Sequence, residues 1–281
     1  MSSIDASHQR PLRRLAWLTA LGLAALCAAV FMAIESRAAS SAPLPVKQLR
    51  IGVAPATLPV STGERDYTNA GFEAVYAREL ARHLGVDALI VPLPPDAQAQ
   101  ALRQGDVDLV LTRADEARPR EDGLRVLATG YQSGLSVSMR ADTDVRAWKD
   151  LAGRVVCVTA DNPRAQAQAE RVQGRLKVFE APAQALVQVR TGECAAAILD
   201  GSQLEPLLAQ KEWRKFSATL PATRDSALQA WLAEGRNDLA APIRAAVHEI
   251  GSTAAWAQRR QKWAANVAFE VYFDQTGPDC H

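Results

Sequence analysis

Histidine is scarce in this chain, and the motifs of several enzyme classes are missing. Only four of the 281 residues are histidine, and none of them forms a recognisable pair with a serine or cysteine nucleophile. The sequence also contains no phosphate-binding loop and no His-Glu-x-x-His zinc motif. We therefore predict a protein without a cofactor, and nothing in the sequence indicates a triad hydrolase or a zinc protease.

The chain also has almost no net charge. Its 32 Lys and Arg residues oppose 31 Asp and Glu residues, which leaves a formal charge of +1. This balance gives no electrostatic reason to expect nucleic acid as a partner. A hydrophobic content of 48% with 22% charged residues is typical of a folded globular protein.

The first 38 residues form a predicted targeting segment. Three arginines, Arg10, Arg13 and Arg14, precede residues 15–34, which contain no charged side chain, and small residues flank Arg37 at a possible cleavage site. The segment is either a signal peptide cleaved after Ala38 or a membrane anchor, because its apolar length also suffices to cross a bilayer. Both alternatives place the remaining chain in the periplasm. Residues 39–47 read as a linker.

A repeated pattern divides the remaining chain into two similar parts. Residues 103–112 and 190–200 each read as a helix end, a glycine, an acidic residue and an unbroken apolar strand. Such strands suit a parallel sheet that is covered on both faces. Ligands bind beyond the carboxyl ends of strands in open sheets. Thr112 and Arg113 would therefore face Leu199 and Asp200 across a cleft, an arrangement that suits a small zwitterion.

Each part shows the element order β-α-β-α-β, which is the half-unit of a doubly wound sheet. We predict an α/β protein with two doubly wound lobes joined by two crossing strands. Lobe 1 comprises residues 48–136 and 228–281, and lobe 2 comprises residues 137–227. Residues 134–139 and 227–233 are the predicted crossings, and residues 240–265 read as one tail helix in which two tryptophans serve packing.

Five segments resemble the polar amino-acid binders of family 3 of the bacterial periplasmic solute-binding proteins. The resemblance covers nearly all of residues 48–265 and depends on the order and spacing of the segments. They are Leu49 to Val53, Gly71-Phe72-Glu73 with the helix that follows, Leu102 to Leu111, Trp148 to Gly153, and Arg190 to Asp200.

The resemblance implies a type II periplasmic binding fold whose lobes close on a ligand. It also implies delivery of an amino acid or related carboxylate to an ABC-type permease in the inner membrane. Arg120 corresponds to the arginine that clamps a ligand carboxylate, for which a planar guanidinium is well shaped. Asp200 corresponds to the aspartate that receives the ligand amine, although it would equally suit a helix cap. We predict a monomer.

The chain departs from the family pattern around the predicted pocket. Asp161 and Asn162 replace small residues of the second lobe, and Leu58 stands where an aromatic lid is usual. Thr112, Arg113 and Asp115 follow the first-lobe strand in place of small hydroxyl residues. A second positive group at Arg113 would suit a dicarboxylate or an acidic amino acid.

Three cysteines follow the targeting segment, and a disulfide can persist outside the cytoplasm. Cys157 and Cys194 lie at the first and third strands of lobe 2, which are neighbours in such folds, so we favour this pair. A bridge from Cys194 to Cys280 in the tail is the alternative.

Two other functions stay open from the sequence. The first is an enzyme that resembles the periplasmic cyclohexadienyl dehydratases of the same fold, with Asp115, Asp161 or Glu205 as its acid or base. The second is a ligand-sensing module without a permease, held to the membrane by residues 15–34.

Overall fold

The computed structural model describes residues 44–54, 72–114 and 122–273 of the chain. Strands and helices alternate through most of this part. Its strands are Gln48–Val53 (β1), Asp87–Pro92 (β2), Leu109–Arg113 (β3), Leu124–Ser133 (β4), Leu135–Ser138 (β5), Val155–Thr159 (β6), Arg175–Phe179 (β7), Ala196–Asp200 (β8) and Ser226–Ala233 (β9). Its α-helices are Phe72–His83 (α1), Gln98–Gln104 (α2), Pro163–Arg171 (α3), Pro182–Thr191 (α4), Gly201–Leu208 (α5), Asn237–Ile250 (α6) and Thr253–Phe273 (α7). Short 3-10 helices lie at Trp148–Leu151 and Lys211–Phe216.

The strands form two sheets of related design. The first sheet has the order β2-β1-β3-β9-β4, and the second has the order β5-β8-β6-β7. In each sheet three strands run parallel, namely β2-β1-β3 and β7-β6-β8. In the first sheet, β9 pairs antiparallel with β3. In the second sheet, β5 pairs antiparallel with β8. The predicted α/β fold with two sheets is confirmed.

The two central strands form for the same local reason. Leu109, Val110 and Leu111 in β3 and all five residues of β8 are buried. The preceding helices end at Gly105 and Gly192, whose φ angles of 75° and 84° lie in the left-handed region. Glycine adopts this conformation without steric cost, so each helix stops and the chain turns into a buried strand.

Two short segments connect the sheets and lie side by side. Only Gly134 separates β4 from β5, and the return passes through Thr223 just before β9. The amide of Thr223 donates to the carbonyl of Leu135 at 2.8 Å, and the amide of Leu135 donates to the Thr223 hydroxyl at 2.8 Å. The prediction that residues 227–233 form the second crossing needs correction, because these residues belong to β9 within the first sheet. Strand β9 pairs with β3 along one edge and with β4 along the other, so it is an interior strand of the first sheet.

Cys157 on β6 and Cys194 before β8 form a disulfide, with their Cα atoms 5.9 Å apart. This confirms the favoured pairing and excludes the bridge from Cys194 to Cys280. Both cysteines are buried, and β6 and β8 are hydrogen-bonded neighbours in the second sheet. The bridge therefore joins two adjacent strands within one layer of the fold.

The predicted single tail helix is in fact two helices, α6 and α7, interrupted at Gly251 and Ser252. At Gly251 a β-carbon would overlap the backbone carbonyl oxygens of Thr129 and Val247. Only glycine permits this close approach, and the chain changes direction there. Trp256 and Trp263 on α7 are 3% and 1% exposed, so both are packed in the interior, and Trp263 also lines the cavity between the sheets.

Helix α7 contacts elements beside both sheets. It packs against α4 and α5 of the second sheet and touches β4 of the first. Arg259 on α7 makes two 2.7 Å hydrogen bonds to Glu79 on α1, and its guanidinium lies 4.5 Å from the Trp256 ring centroid. The predicted lobe boundaries stay a prediction, since α7 falls in the part assigned to lobe 1 yet contacts helices of both parts.

Among the residues that the structure describes, no helix combines the length and the apolar content that a membrane crossing requires. The predicted targeting segment, residues 1–38, lies outside these residues.

Candidate ligand-binding cleft

A cavity of about 500 Å³ lies between the two sheets. Its walls include the carboxyl ends of β3 and β8 and the loop that follows β6. Thr112 and Arg113 contribute from the first sheet, and Leu199 and Asp200 contribute from the second. A volume of this size is sufficient for a small organic ligand.

Arg113 and Asp200 meet directly across this cleft. The Nη2 atom of Arg113 donates to Oδ2 of Asp200 at 2.7 Å. The Asp200 side chain is 3% exposed and that of Arg113 is 14% exposed. Each residue ends a strand, so Arg113 and Asp200 are presented at the facing edges of the two sheets. The sequence predicts that these residues face each other, and the structure brings them into contact.

Glu73 and Tyr131 complete the surroundings of the Arg113 guanidinium. Its Nε atom donates to Oε1 of Glu73 at 2.8 Å, and its Cζ atom lies 4.5 Å from the centroid of the Tyr131 ring. Burial acts to lower the pKa of Arg113, but the negative charges of Asp200 and Glu73 outweigh burial and hold that pKa above its usual value. Arg113 therefore remains a cation throughout the physiological pH range.

Tyr131 on β4 joins the two sheets through its hydroxyl group. The hydroxyl donates to Oδ2 of Asp200 at 3.0 Å and accepts a hydrogen bond from Ser202 at 2.9 Å. Burial raises the pKa of Tyr131, and the neighbouring Asp200 carboxylate raises it further, so the hydroxyl keeps its proton. Tyr131 is 2% exposed and is fixed by Phe72 and Trp256, whose ring centroids lie 5.0 and 4.9 Å away.

Arg164 is a second cation near Asp200. Its Nη1 atom lies 3.7 Å from Oδ1 of Asp200, and both of its terminal nitrogens lie 3.5 Å from the carbonyl oxygen of Ser133. The side chain is 24% exposed and lines the cavity. Burial lowers the pKa of Arg164 from its usual value, although an arginine stays charged at neutral pH.

The loop after β6 places Asp161 and Asn162 at the start of α3. The Asn162 Oδ1 atom accepts a 3.0 Å hydrogen bond from the amide of Ala165, and Pro163 occupies the first helical position. This is the usual N-terminal cap of a helix. Burial raises the pKa of Asp161 to about 6; a hydrogen bond with Thr159 opposes this rise, while Glu73 and Asp200 add to it. A carboxyl group with this pKa exchanges its proton near neutral pH.

The structure describes only part of the predicted site. Leu58, Asp115 and Arg120 lie outside the described residues, so their roles stay predictions. Thr112, Arg113, Asp161, Asn162 and Asp200 all line the cavity. Glu205, a candidate acid or base, is exposed on α5 and is not among the cavity-lining residues. In residues 44–54, 72–114 and 122–273, no three His, Cys, Asp or Glu side chains are grouped to hold a metal ion.

The sequence prediction missed Glu73, Tyr131 and Arg164. Glu73 lies in the first turn of α1 and Arg164 in the first turn of α3, after Pro163. A charged residue in the first turn of a helix that faces a sheet edge is a weak signal that could have indicated both. Tyr131 carries no such signal, because it lies in an irregular stretch of β4 between Ala128 and Gln132 and meets Asp200 only in the packed fold.

Two α/β sheets with a cleft between the carboxyl ends of their central strands define a binding-protein fold of the type II periplasmic class. The sequence profile described as "Bacterial extracellular solute-binding proteins, family 3" matches residues 49–266. The chain therefore belongs to family 3 of the bacterial extracellular solute-binding proteins. This confirms the resemblance that the five sequence segments indicate.

Several known proteins are similar to the chain. The L-cystine-binding protein TcyJ of Escherichia coli (strain K12) is 24% identical over 257 residues, which cover 86% of this chain and 93% of the relative. The structure of an ancestral arginine-binding protein bound to arginine matches with a TM-score of 0.53 and 19% identity, covering 78% of this chain and 98% of that one. The ancestral amino-acid-binding protein AncCDT-1, a precursor of cyclohexadienyl dehydratase, matches with a TM-score of 0.53 and 20% identity, covering 77% and 95%.

Proposed function

We propose that this protein binds a small polar solute, an amino acid or a related carboxylate, and delivers it from the periplasm to an ABC-type permease. The observation that carries the proposal is the cavity between the two sheets, because charged side chains of both, among them Arg113, Arg164 and Asp200, line its wall. Family membership supports solute binding, and the similar proteins include a cystine-binding, an arginine-binding and an amino-acid-binding protein.

The proposed lobes are residues 48–136 with 228–281 and residues 137–227, and they close over the ligand. The side-by-side segments at Gly134 and Thr223 are the natural hinge, since they contain the two connections between the sheets. Contacts that form only when the cleft is shut give the ligand its preference for the closed state. Small-angle scattering should show a smaller radius of gyration with bound ligand, and an unchanged radius with a confirmed ligand would contradict closure.

The first experiment is a thermal-shift screen of residues 39–281 against amino acids, dicarboxylates and polyamines. A ligand present at about a hundred times its dissociation constant adds about 2.7 kcal/mol to the free energy of unfolding. Each hit is then measured by calorimetry. If no member of the three classes binds, the proposed function is wrong.

Arg120 provides the matched test of the carboxylate clamp. Replacing it by Ala should weaken binding of the best ligand by about 2–5 kcal/mol, since a ligand carboxylate in a closed cleft would lose a charged partner. This corresponds to roughly thirty-fold to several-thousand-fold weaker affinity. The melting temperature of the unliganded variant reports on folding. Parent-like affinity in the Ala variant would exclude Arg120 from the site.

An enzyme of the dehydratase type is the second candidate, and Asp161 is the observation that favours it. Its carboxyl group lines the cavity and carries a pKa raised to about 6, which suits proton transfer near neutral pH. Turnover of prephenate or arogenate by the purified protein, lost in Asp161→Asn, would establish this activity. Binding without turnover would favour the transport function.

A further inference from the structure

The cleft contains a complete cation-binding site that is filled by the chain itself. Two carboxylates, Glu73 from α1 and Asp200 from β8, hold one guanidinium from opposite sides of the cleft. The face of Tyr131 lies beside the same group at 4.5 Å. Two carboxylates and an aromatic face are the groups that bind organic cations in proteins. Here the bound cation is the side chain of Arg113.

We propose that Arg113 is the specificity-determining residue of the cleft. It occupies the position in which the cationic group of a ligand would meet Asp200 and Glu73. The cleft therefore selects carboxylate ligands that have no cationic amine at Asp200. The inference rests on the proposed function and narrows its ligand class to acids without an amine at this position.

The partners of Asp200 explain why a ligand amine is excluded. Its Oδ2 atom accepts hydrogen bonds from Arg113 and from the Tyr131 hydroxyl, and its Oδ1 atom lies 3.7 Å from Arg164. An added ammonium group would be a third cation around one carboxylate, and like charges at this separation repel. To replace Arg113, the amine would have to separate the guanidinium from Glu73, Asp200 and the Tyr131 ring together.

Arg164 differs from Arg113, because it retains the capacity to bind an anionic group of a ligand. Its hydrogen bonds to Ser133 measure 3.5 Å, which is longer than the usual 2.7–3.2 Å range. The side chain lines the cavity and remains 24% exposed. A ligand carboxylate at Arg164 would gain a shorter, charge-assisted hydrogen bond. The described part of the cleft thus keeps donors for a carboxylate while Arg113 occupies Asp200 and Glu73.

The first test uses the unaltered protein and pairs of ligands that differ only in the amine. Glutarate is compared with glutamate, and succinate with aspartate, by calorimetry. We expect the acid without the amine to bind at least about tenfold more tightly in any pair that binds. Tighter binding of the amino acid than of its amine-free counterpart would overturn the proposal, whatever the variants do.

The second test removes the Arg113 side chain and asks whether methylguanidinium chloride binds in its place. In Arg113→Ala, methylguanidinium should raise the melting temperature beyond an equal concentration of sodium chloride. The effect should disappear in the Arg113→Ala, Asp200→Asn double variant, which lacks the main carboxylate. The unaltered protein and Arg113→Lys should not respond, because their own cation fills the site.

Arg154→Ala is the control variant. It tests whether methylguanidinium stabilises any protein in which a carboxylate has lost its arginine partner. Arg154 binds Asp144 at 2.8 Å, but this carboxylate is 75% exposed, so methylguanidinium should not stabilise the variant. An equal response of this variant, or no response of a folded Arg113→Ala protein, would contradict the proposal. If Arg113→Ala does not fold, the proposal is tested by the affinities of the unaltered protein for the ligand pairs.

The two proposals fail in different ways. The function fails if no amino acid, dicarboxylate or polyamine binds the unaltered protein. The role of Arg113 is tested by methylguanidinium, which requires no natural ligand, so that test gives a result even if the transport function is wrong.

Discussion

Gly134 and Thr223 lie against each other where the two connections between the sheets pass. The α-carbon of Gly134 approaches the carbonyl oxygen of Thr223 so closely that a β-carbon would overlap it. The amide of Gly201 donates to the carbonyl of Gly134 at 2.8 Å, which fixes the same segment to the start of α5. A small change of backbone position here must therefore alter how the two sheets meet.

Gly134→Ala should destabilise the protein by about 1–3 kcal/mol, the usual cost of inserting a methyl group into a packed site. The neighbouring carbonyl belongs to the backbone and cannot rotate away. Urea unfolding of the unliganded protein measures the effect. Gly235→Ala is the matched control, since its β-carbon would meet no atom within 4 Å. Equal losses in both variants would contradict the steric argument.

Reduction or removal of the Cys157–Cys194 bridge should also destabilise the protein. The bridge closes a segment with a sequence separation of 37 residues. Such a loop restricts the unfolded chain by about 4 kcal/mol in the chain-entropy treatment. The Cys157→Ala, Cys194→Ala double variant should lose about 2–4 kcal/mol in urea unfolding. Reducing agent should lower the stability of the parent protein but leave that of the double variant unchanged.

Asp161 should make stability depend on pH in a defined window. Its pKa is raised from 3.8 to about 6 in the folded protein, so the folded state holds the proton more tightly than the unfolded chain. The contribution of Asp161 to the free energy of unfolding therefore falls as pH rises from about 4 to about 6 and stays low above this range.

Asp161→Asn removes that loss, because an amide does not ionise. The variant should gain up to about 3 kcal/mol relative to the parent above pH 6, from about 1.4 kcal/mol per pKa unit. At pH 4 the two proteins should differ much less. Unfolding free energies measured from pH 4 to pH 7 test this, and a constant difference across the range would show that Asp161 does not titrate as described.

Tyr131→Phe should weaken the contact between the sheets while the ring packing is kept. The variant loses the hydrogen bond to the buried Asp200 carboxylate and leaves Ser202 without its acceptor. Hydrogen bonds to charged groups contribute about 1.5–3 kcal/mol each, so we expect a loss of about that size in thermal or urea unfolding. Tyr272→Phe removes a hydrogen bond to the neutral carbonyl of Glu212 and should cost less. The reverse order would indicate that Tyr131 does not support Asp200.

Local patterns were sufficient to predict most of the fold. The apolar runs that form β3 and β8, and the glycines before them, act over a few neighbouring residues, and both strands formed as predicted. The disulfide followed from the expected neighbourhood of β6 and β8. The position of β9 between β3 and β4 depends on contacts between distant residues, and no periodicity in the segment specifies which strands it joins.

The site was predicted less completely for the same physical reason. Arg113 and Asp200 could be identified because each directly follows a buried apolar run. The contact of Arg113 with Glu73 spans 40 residues, and that of Tyr131 with Asp200 spans 69. A sequence shows that charged groups approach one edge of a sheet, but the partner of each group depends on side-chain directions that only the packed fold fixes.

The place of β9 determines the order in which the protein can complete its structure. All strands of the second sheet lie in one continuous stretch of the sequence. The first sheet, in contrast, lacks β9 until residues Ser226–Ala233 have been synthesised. Closing so long a loop is a slow, non-local step. A nascent or truncated chain that ends before Ser226 would therefore expose the unpaired edges of β3 and β4, which are templates for association with other chains. Once β9 has been synthesised, its pairing with β3 and β4 covers both of these edges.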